Sequence, residues 1–172
     1  MLALQNVTEA NYPSIPAPCG YCLWWQKTEP FTEAMASPAA QPEKLAWWRE
    51  VEAESGNCHK VALVDGAPVG FVQYAPARYF PRVQTFAPLA PSKDAVFIAC
   101  LYLKKEWRGK GLGIAMLREL VEALRKDGRG AVETISQENA TDNPSGPVDL
   151  YVKQGFRVTT RNGDNALLRL EL

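Results

Sequence analysis

Glycine alternates with basic and apolar residues at positions 108–113, which read Arg-Gly-Lys-Gly-Leu-Gly. Because glycine has no Cβ, the backbone N–H groups of such a stretch can turn toward a ligand. Arg108 and Lys110 add positive charge beside those N–H groups. Residues of these types at this spacing predict a site for a phosphate group.

Two familiar phosphate-binding motifs do not fit the spacing of these glycines. A P-loop places Ser or Thr directly after its Gly-Lys pair, but Gly111 follows Lys110 here. A dinucleotide fingerprint, Gly-x-Gly-x-x-Gly, would need a third glycine where the chain has Ile114 or Met116. The spacing therefore excludes both motifs.

The flanking residues predict the elements that hold this turn in place. Residues 95–103 are apolar and rich in β-formers, which indicates a buried strand. After the turn, apolar side chains recur at helical spacing, at Leu117, Leu120, Val121 and Leu124. The turn thus joins a strand to a helix, whose N-terminus adds unpaired N–H groups and the positive end of its dipole.

The pattern Arg108-x-x-Gly111-x-Gly113 between a strand and a helix resembles the pyrophosphate-binding signature of the GNAT superfamily, the acyl-CoA-dependent N-acyltransferases. A second segment strengthens the resemblance. Leu150-Tyr151 lies on a predicted short helix, and Gly155-Phe156 opens the next strand, as in that family.

The resemblance covers residues 95–156, which it identifies as the acyl-CoA-binding core of one N-acetyltransferase domain spanning residues 1–172. Residues 1–57, here called the front end, match nothing diagnostic of the superfamily at large. The Cys-x-x-Cys-x-Trp motif of the front end and the Phe-Pro-Arg sequence at 80–82 are similar to a poorly characterised branch.

The resemblance implies acetyl-CoA as the co-substrate. The backbone of residues 101–103 would pair with the pantetheine amides as an added strand does, and the N–H groups of residues 108–113 would hold the diphosphate. Asn143 or Asn139 would contact the pantetheine arm. The residues assigned to the donor are Leu101, Tyr102, Leu103, Arg108, Gly109, Lys110, Gly111, Leu112, Gly113, Ile114 and Asn143.

Two residues are candidates for moving protons. The resemblance implies that Tyr151 protonates the departing thiolate, which suits a phenol because it carries its proton at neutral pH. The alternative is a core tyrosine with its hydroxyl at the surface. Glu133 is the candidate general base, because it is a lone carboxylate in an apolar strand. The alternative is a charge that faces solvent from an edge position.

The cysteines do not predict a metal centre. Cys19 and Cys22 have the spacing of a zinc knuckle or a redox pair, and Cys58-His59 offers further ligands. Neighbouring residues in an extended segment point in opposite directions, which makes the last two poor partners for one ion. We expect no metal, a packing or pocket-lining role for Cys19 and Cys22, and a structural or solvent-facing His59.

The whole pattern predicts a mixed α/β fold of the GNAT type. We expect a mostly antiparallel sheet, with a splayed parallel pair of strands at its centre and helices on both faces. Residues 131–135 form the strand parallel to residues 95–103, because the helix between them allows a crossover. The other predicted elements are a short strand at 21–26, a helix from residue 41 to Gly56, a hairpin of strands 59–64 and 69–74, and a final helix and hairpin within 149–172.

Composition limits the partners of the chain. Its 19 basic and 19 acidic residues balance, which argues against a nucleic-acid partner. No apolar run approaches about 20 residues, so we expect no membrane span. The start of the chain lacks a basic-then-apolar leader, which makes the cytoplasm the expected compartment. The oligomeric state stays open, a homodimer included.

These features predict an N-acetyltransferase that carries an acetyl group from acetyl-CoA to a primary amine of a small molecule or peptide, by direct attack in a ternary complex. The alternative is a CoA-binding sensor or pseudo-enzyme that acts through the surface of the front end. The tryptophans of the front end either line the acceptor pocket or belong to the core, and residues 76–91 either cover that pocket or form a rigid crossover.

Overall fold

The computed structural model describes residues 1–139 and 142–172. The strands of this part are β1 (Leu2–Asn6), β2 (His59–Val64), β3 (Ala67–Pro76), β4 (Val96–Leu103), β5 (Ala131–Gln137), β6 (Arg157–Asn162) and β7 (Asn165–Glu171). The α-helices are α1 (Gln41–Ser55), α2 (Leu112–Lys126) and α3 (Val148–Val152). No helix in the described ranges is both long enough and apolar enough to cross a membrane.

The strands form one sheet in the order β1-β2-β3-β4-β5-β7-β6. Asp65 and Gly66, with φ of 50° and 83°, make the two-residue turn between β2 and β3, which places these strands side by side and antiparallel. Helix α2 carries the chain from β4 back to the start of β5, so that this central pair alone is parallel among the described pairs. The predicted fold class is confirmed.

The central pair diverges after a short paired stretch. Residues 96–98 of β4 pair with residues 132–134 of β5, and both strands then continue beyond this register. Ala99 is an extra residue in β4, because Gln73 of β3 faces Cys100 while Tyr74 faces Ile98. Such a bulge bends the strand that carries it, and here it lies where β4 leaves β5. The gap beyond the paired residues is called the opening below.

Both faces of the sheet are covered. On one face, Met116, Leu117 and Leu120 of α2 pack against the strands. Gly70 of β3 permits this approach, since a Cβ there would lie 2.7 Å from the Tyr102 carbonyl oxygen and 3.0 Å from Met116 Cε. On the other face, Trp48 of α1 belongs to a second core cluster formed with the front end.

The front end differs from its prediction. Residues 21–26 form turns rather than a strand, since the N–H groups of Tyr21 and Cys22 donate to the Pro18 carbonyl and that of Gln26 donates to Leu23. These local hydrogen bonds, together with that of the Leu23 N–H to the Met35 carbonyl oxygen at 2.8 Å, satisfy the backbone without a strand partner. The strand that the front end does supply is β1, which pairs with β2 at one end of the sheet.

Candidate functional site

A cavity of about 350 Å³ lies between the end of β4, the start of α2 and α3. Its walls include these predicted donor-binding residues: Leu101, Tyr102, Leu103, Arg108, Gly109, Gly111, Leu112, Gly113, Ile114 and Asn143. Lys110 is the exception among the predicted set, and its Nζ lies 5.0 Å from the centre of the Trp107 ring. This space is called the glycine-turn cavity.

The glycines shape the floor of this cavity. Gly109 and Gly111 have φ of 73° and 77°, in the left-handed region that side chains with a Cβ rarely adopt. Gly111 is the N-cap of α2, so the free N–H groups of the first helical turn lie beside the cavity. Backbone donors at the positive end of a 15-residue helix form a seat for an anion.

Arg108 joins two edges of the opening. Its Nε donates to the Leu103 carbonyl oxygen at 2.9 Å, and its Nη1 donates to Asp142 Oδ1 at 3.0 Å. The arginine therefore connects the end of β4 to the segment that precedes α3, while its side chain also borders the glycine-turn cavity. The Asp142 carboxylate is mostly exposed, and ion pairs of that kind are weak.

Residues 142–147, called the 142–147 loop, lie in the opening. The Leu101 N–H donates to the Pro144 carbonyl oxygen at 2.8 Å, which is the backbone donor expected to pair with pantetheine. On the β5 side, Ser145 Oγ donates to the Ile135 carbonyl and Ser136 Oγ donates to the Gly146 carbonyl. The loop thus takes the place of a missing strand beside β4. The N–H group of Leu103, two residues after Leu101, points to the same edge of β4.

Asn143 of this loop holds an unused hydrogen-bond donor. Its Oδ1 accepts from the Ser145 N–H at 2.9 Å, which fixes the orientation of the amide. Its Nδ2 is buried and has no partner among the described residues. A buried polar group without a partner is costly, so this N–H₂ group fits a carbonyl oxygen supplied by a ligand.

Two further cavities lie on the opposite face of the sheet. One, of about 340 Å³, is lined by Lys44, Gln73 and Cys100 and is called the lysine cavity. The other, of about 370 Å³, is lined by Phe31, Phe86 and Asn165 and is called the aromatic cavity. The walls shared by both are Cys22, Trp24, Trp25, Asp142, Asn143 and Pro144. Asn143 also borders the glycine-turn cavity, so the three spaces meet at this residue.

The tryptophans of the front end fill both predicted roles. Trp24 and Trp25 line the two cavities. Trp25 is also 2% exposed and belongs, like Trp48, to the second core cluster. Arg82 fixes Trp24: its guanidinium donates to the carbonyls of Trp24 and Glu29 and lies 4.1 Å from the centre of the Trp24 ring. The segment 76–91 therefore braces a cavity wall.

Tyr151 lies behind the 142–147 loop. The residue is 0% exposed, and its hydroxyl donates to the Ser145 carbonyl oxygen at 2.5 Å. Burial raises the pKa of Tyr151, which keeps the phenol protonated. The hydroxyl therefore points at the loop, and not at the surface as the alternative of a core tyrosine predicts.

Glu133 lies away from the opening, at the paired end of the two strands, where its register partner is Phe97. The carboxylate is 1% exposed and accepts from the Ser92 N–H at 2.7 Å, the Ser92 hydroxyl at 3.0 Å and Arg169 Nη1 at 3.0 Å. The structure thus buries this residue instead of placing it at an edge, and does not bring it together with Tyr151 and the glycine turn. Its contacts are those of a structural ion pair.

The sequence analysis does not predict a buried polar network that the structure contains. Lys44 Nζ donates to Gln73 Oε1 at 2.5 Å and to Gln26 Oε1 at 3.3 Å, and His59 Nε2 lies 3.0 Å from the same Gln73 oxygen. Burial lowers the pKa of Lys44 and lowers that of His59 well below its ordinary value. The sequence does indicate that Lys44 is buried, because Lys44 occupies the same helical face as the buried Trp48 and Val51.

The cysteines are free, and no group of metal-binding side chains occurs in the described part of the chain. Cys22 and Cys100 line the lysine cavity. For Cys22 this agrees with the predicted pocket-lining role. Burial raises the pKa of Cys58 and of Cys100 to about 12, so both are neutral thiols. His59 is fully buried and therefore does not face solvent.

Solved structures share this fold. PaiA N-acetyltransferase from Thermoplasma acidophilum, in complex with coenzyme A, is 16% identical with a TM-score of 0.65, over 100% of this chain and 99% of that chain. YncA from Salmonella typhimurium, a putative acetyltransferase with acetyl-CoA, is 16% identical with a TM-score of 0.66, over 100% of this chain and 94% of that chain. Ribosomal-protein-alanine N-acetyltransferase from Brucella melitensis is 20% identical with a TM-score of 0.63, over 99% of both chains.

Sequence comparison gives the family directly. No curated protein matches the chain. The profile of the Acetyltransferase (GNAT) family, however, matches residues 21–156, which is most of the chain and includes the glycine turn, the opening and part of the front end. The chain belongs to the GNAT family of acetyltransferases.

Proposed function

We propose that the protein is an N-acetyltransferase that carries an acetyl group from acetyl-CoA to a primary amine of a small molecule or peptide in a ternary complex. The observation that supports this most directly is the meeting of three cavities at Asn143. One cavity has an anion seat on the α2 face, and the other two approach the same residue from the opposite face. A donor and an acceptor that enter from opposite faces would meet at the opening.

The donor would use the glycine-turn cavity. The free N–H groups at the start of α2 would hold its diphosphate, for which Arg108 would exchange its weak pair with Asp142. The pantetheine arm would enter the opening, where Asn143 Nδ2 and the Leu103 N–H offer donors for its carbonyl groups. For the Leu101 N–H to take part as well, Pro144 would have to release it.

The chemical step needs two proton movements. The lone pair of the neutral amine attacks the thioester carbonyl, the new C–N bond forms, the C–S bond breaks, and the nitrogen loses a proton. The carboxylate that borders the lysine and aromatic cavities is Asp142, and we assign that proton to it rather than to Glu133. The thiolate takes the proton of Tyr151, once a small shift of Ser145 exposes the hydroxyl, and water restores it.

Thiol release from acetyl-CoA across a panel of amines tests this function. We expect at least one amine to raise thiol release well above the rate with water alone, and Arg108→Ala and Tyr151→Phe to reduce that rate. Arg125→Ala, which alters an exposed pair with Glu122 on α2, serves as the matched control and should leave it unchanged. Failure of every amine to raise thiol release would contradict the proposal.

A second candidate, a CoA-binding sensor, is favoured by one observation. The 142–147 loop occupies the opening and takes up both the Leu101 N–H and the Tyr151 hydroxyl. Tight binding of acetyl-CoA without turnover on any amine, together with a stable partner that needs residues 1–57, would support this candidate.

A further inference from the structure

Lys44 places a buried cation beside the opening. The residue lies on α1, is 2% exposed and lines the lysine cavity together with Gln73 and Tyr102. The same cavity reaches Asn143 and Pro144 in the opening. One space therefore extends from the lysine amine to the place where acetyl transfer is proposed.

The partners of this amine carry no negative charge. Lys44 Nζ contacts the side-chain oxygens of Gln73 and Gln26 and lies 5.2 Å from the centre of the Trp47 ring. Among the described residues, no carboxylate forms an ion pair with it. Buried charges in proteins are normally paired, and an isolated one is costly to keep.

The lining of the cavity as a whole is also positive. It holds Lys44, Lys105 and Arg108 and one acid, Asp142, which pairs with Arg108 rather than with Lys44. The Gln73 oxygen that accepts from Lys44 Nζ is itself fixed, because it also contacts His59 Nε2 at 3.0 Å. A cation that is held in place and lacks a counter-charge suits an anionic group on a ligand.

We propose that the acceptor carries a carboxylate, which binds Lys44 in the lysine cavity while its amine reaches the opening. The acceptor class is then a small amino carboxylate, such as an amino acid. This inference rests on the proposed function for the role of the amine, but the binding of the carboxylate does not depend on turnover. The cavity, at about 340 Å³, has the size of a small-molecule site.

Matched ligands distinguish the contribution of the carboxylate to binding from that of the amine. Phenylalanine, phenylalaninamide and phenethylamine, and the corresponding set built on leucine, share a side chain and differ in the carboxylate. Binding is followed by tryptophan fluorescence, since Trp24 and Trp25 line the same cavity. For at least one set we expect the carboxylate form to bind the wild-type protein about ten-fold tighter or more than its amide and amine forms.

Two variants test whether Lys44 is responsible. Lys44→Met keeps the length of the side chain without its charge, and Gln73→Glu gives Lys44 an internal carboxylate. Both should bring the ratio of affinities close to one, and thermal unfolding checks that each variant is folded. Lys44→Arg keeps the charge and should retain a preference for the carboxylate.

The outcomes distinguish this inference from the proposed function. A wild-type protein without any preference for the carboxylate form, or a preference unchanged in both Lys44→Met and Gln73→Glu, would overturn the role of Lys44. Acetylation of the amide and amine forms with equal efficiency would overturn it too, yet would leave the N-acetyltransferase function standing. A preference for the carboxylate that depends on Lys44, without turnover of any ligand, would support the role of Lys44 in binding and would contradict the N-acetyltransferase function.

Discussion

The Leu101 N–H and the Pro144 carbonyl oxygen lie 2.8 Å apart across the gap between β4 and β5. A loop of the same chain therefore uses a backbone donor that a bound pantetheine arm would otherwise accept from. Donor binding and the position of the 142–147 loop are consequently expected to depend on each other.

Asn143 offers a selective test of donor binding, because its two amide atoms have separate tasks. Asn143→Asp keeps the oxygen that accepts from the Ser145 N–H but removes the unpartnered Nδ2, so acetyl-CoA affinity should fall about 10- to 100-fold with little change in the loop. Titration calorimetry measures this affinity. Asn143→Ala, the companion variant, should lower stability as well, and equal affinity of Asn143→Asp and wild type would rule out contact with the donor.

Substitution of Gly113 distinguishes an effect on ligand binding from an effect on the stability of helix α2. A Cβ there would lie 3.8 Å from Leu150 Cδ1, an ordinary contact, and alanine favours a helix by up to about 1 kcal/mol over glycine. We expect Gly113→Ala to unfold at the same or higher denaturant concentration while binding acetyl-CoA more weakly.

The control for this variant is Gly111→Ala, which forces a methyl-bearing residue to φ of 77° and should cost about 1–2 kcal/mol of stability. Unchanged acetyl-CoA affinity in Gly113→Ala would place the diphosphate elsewhere.

Tyr151→Phe should change two quantities. Loss of the hydroxyl leaves the buried Ser145 carbonyl without this donor, so the free energy of unfolding should fall by about 1–3 kcal/mol. If the phenol also protonates the thiolate, kcat falls and the solvent isotope effect on kcat changes, when both proteins are compared well below their unfolding temperatures. A variant with reduced stability and normal kcat would leave the tyrosine a purely structural role.

Glu133→Gln distinguishes an ion pair from a general base. The substitution removes the charge that faces Arg169 but keeps the shape of the side chain, and we expect a loss of about 1–3 kcal/mol in stability with kcat nearly retained. Chemical denaturation and thiol release measure the two effects. A collapse of kcat in a protein of normal stability would restore this carboxylate as the proton acceptor.

Lys44→Met should stabilise the protein at neutral pH. Burial lowers the pKa of Lys44 from 10.5, so between the lowered value and 10.5 the unfolded chain binds more protons than the folded one. Stability contributed through this residue therefore rises with pH in that interval, and the burial penalty is complete below it.

Replacement by methionine removes the penalty, with an expected gain of about 1–2 kcal/mol at about pH 7 that shrinks at about pH 9.5. Urea unfolding of both proteins at the two pH values measures the difference. A gain that grows with pH would mean that the sign of the pKa shift is reversed.

The glycine-turn cavity follows from local rules, which is why most of its lining could be predicted from the sequence. The turn takes positive φ at Gly109 and Gly111, which glycine adopts without strain, and the periodicity of α2 predicts the helix that starts after them. The parallel arrangement of β4 and β5 follows from the helix between them. Each of these features depends on residues that are near one another in the chain.

The remaining features depend on contacts between distant residues. The pairing of Glu133 with Arg169, and of Lys44 with Gln73, joins side chains 36 and 29 positions apart. The 142–147 loop is held in the opening by the hydrogen bonds that Ser145 and Ser136 donate to backbone carbonyls. No local sequence pattern predicts these bonds. The sequence shows Glu133 as a lone carboxylate for the same reason, since the arginine that pairs with it lies 36 positions further along the chain.

The divergence of β4 and β5 also bears on the mechanics of the molecule. Strands β1 to β4 and strands β5, β7 and β6 form two half-sheets whose direct backbone pairing is limited to residues 96–98 and 132–134. We expect a junction this short to act as a hinge, and a donor lying across it would tie the two halves together. We expect hydrogen exchange at the far ends of β4 and β5 to slow when acetyl-CoA binds, so that the co-substrate completes the sheet it enters.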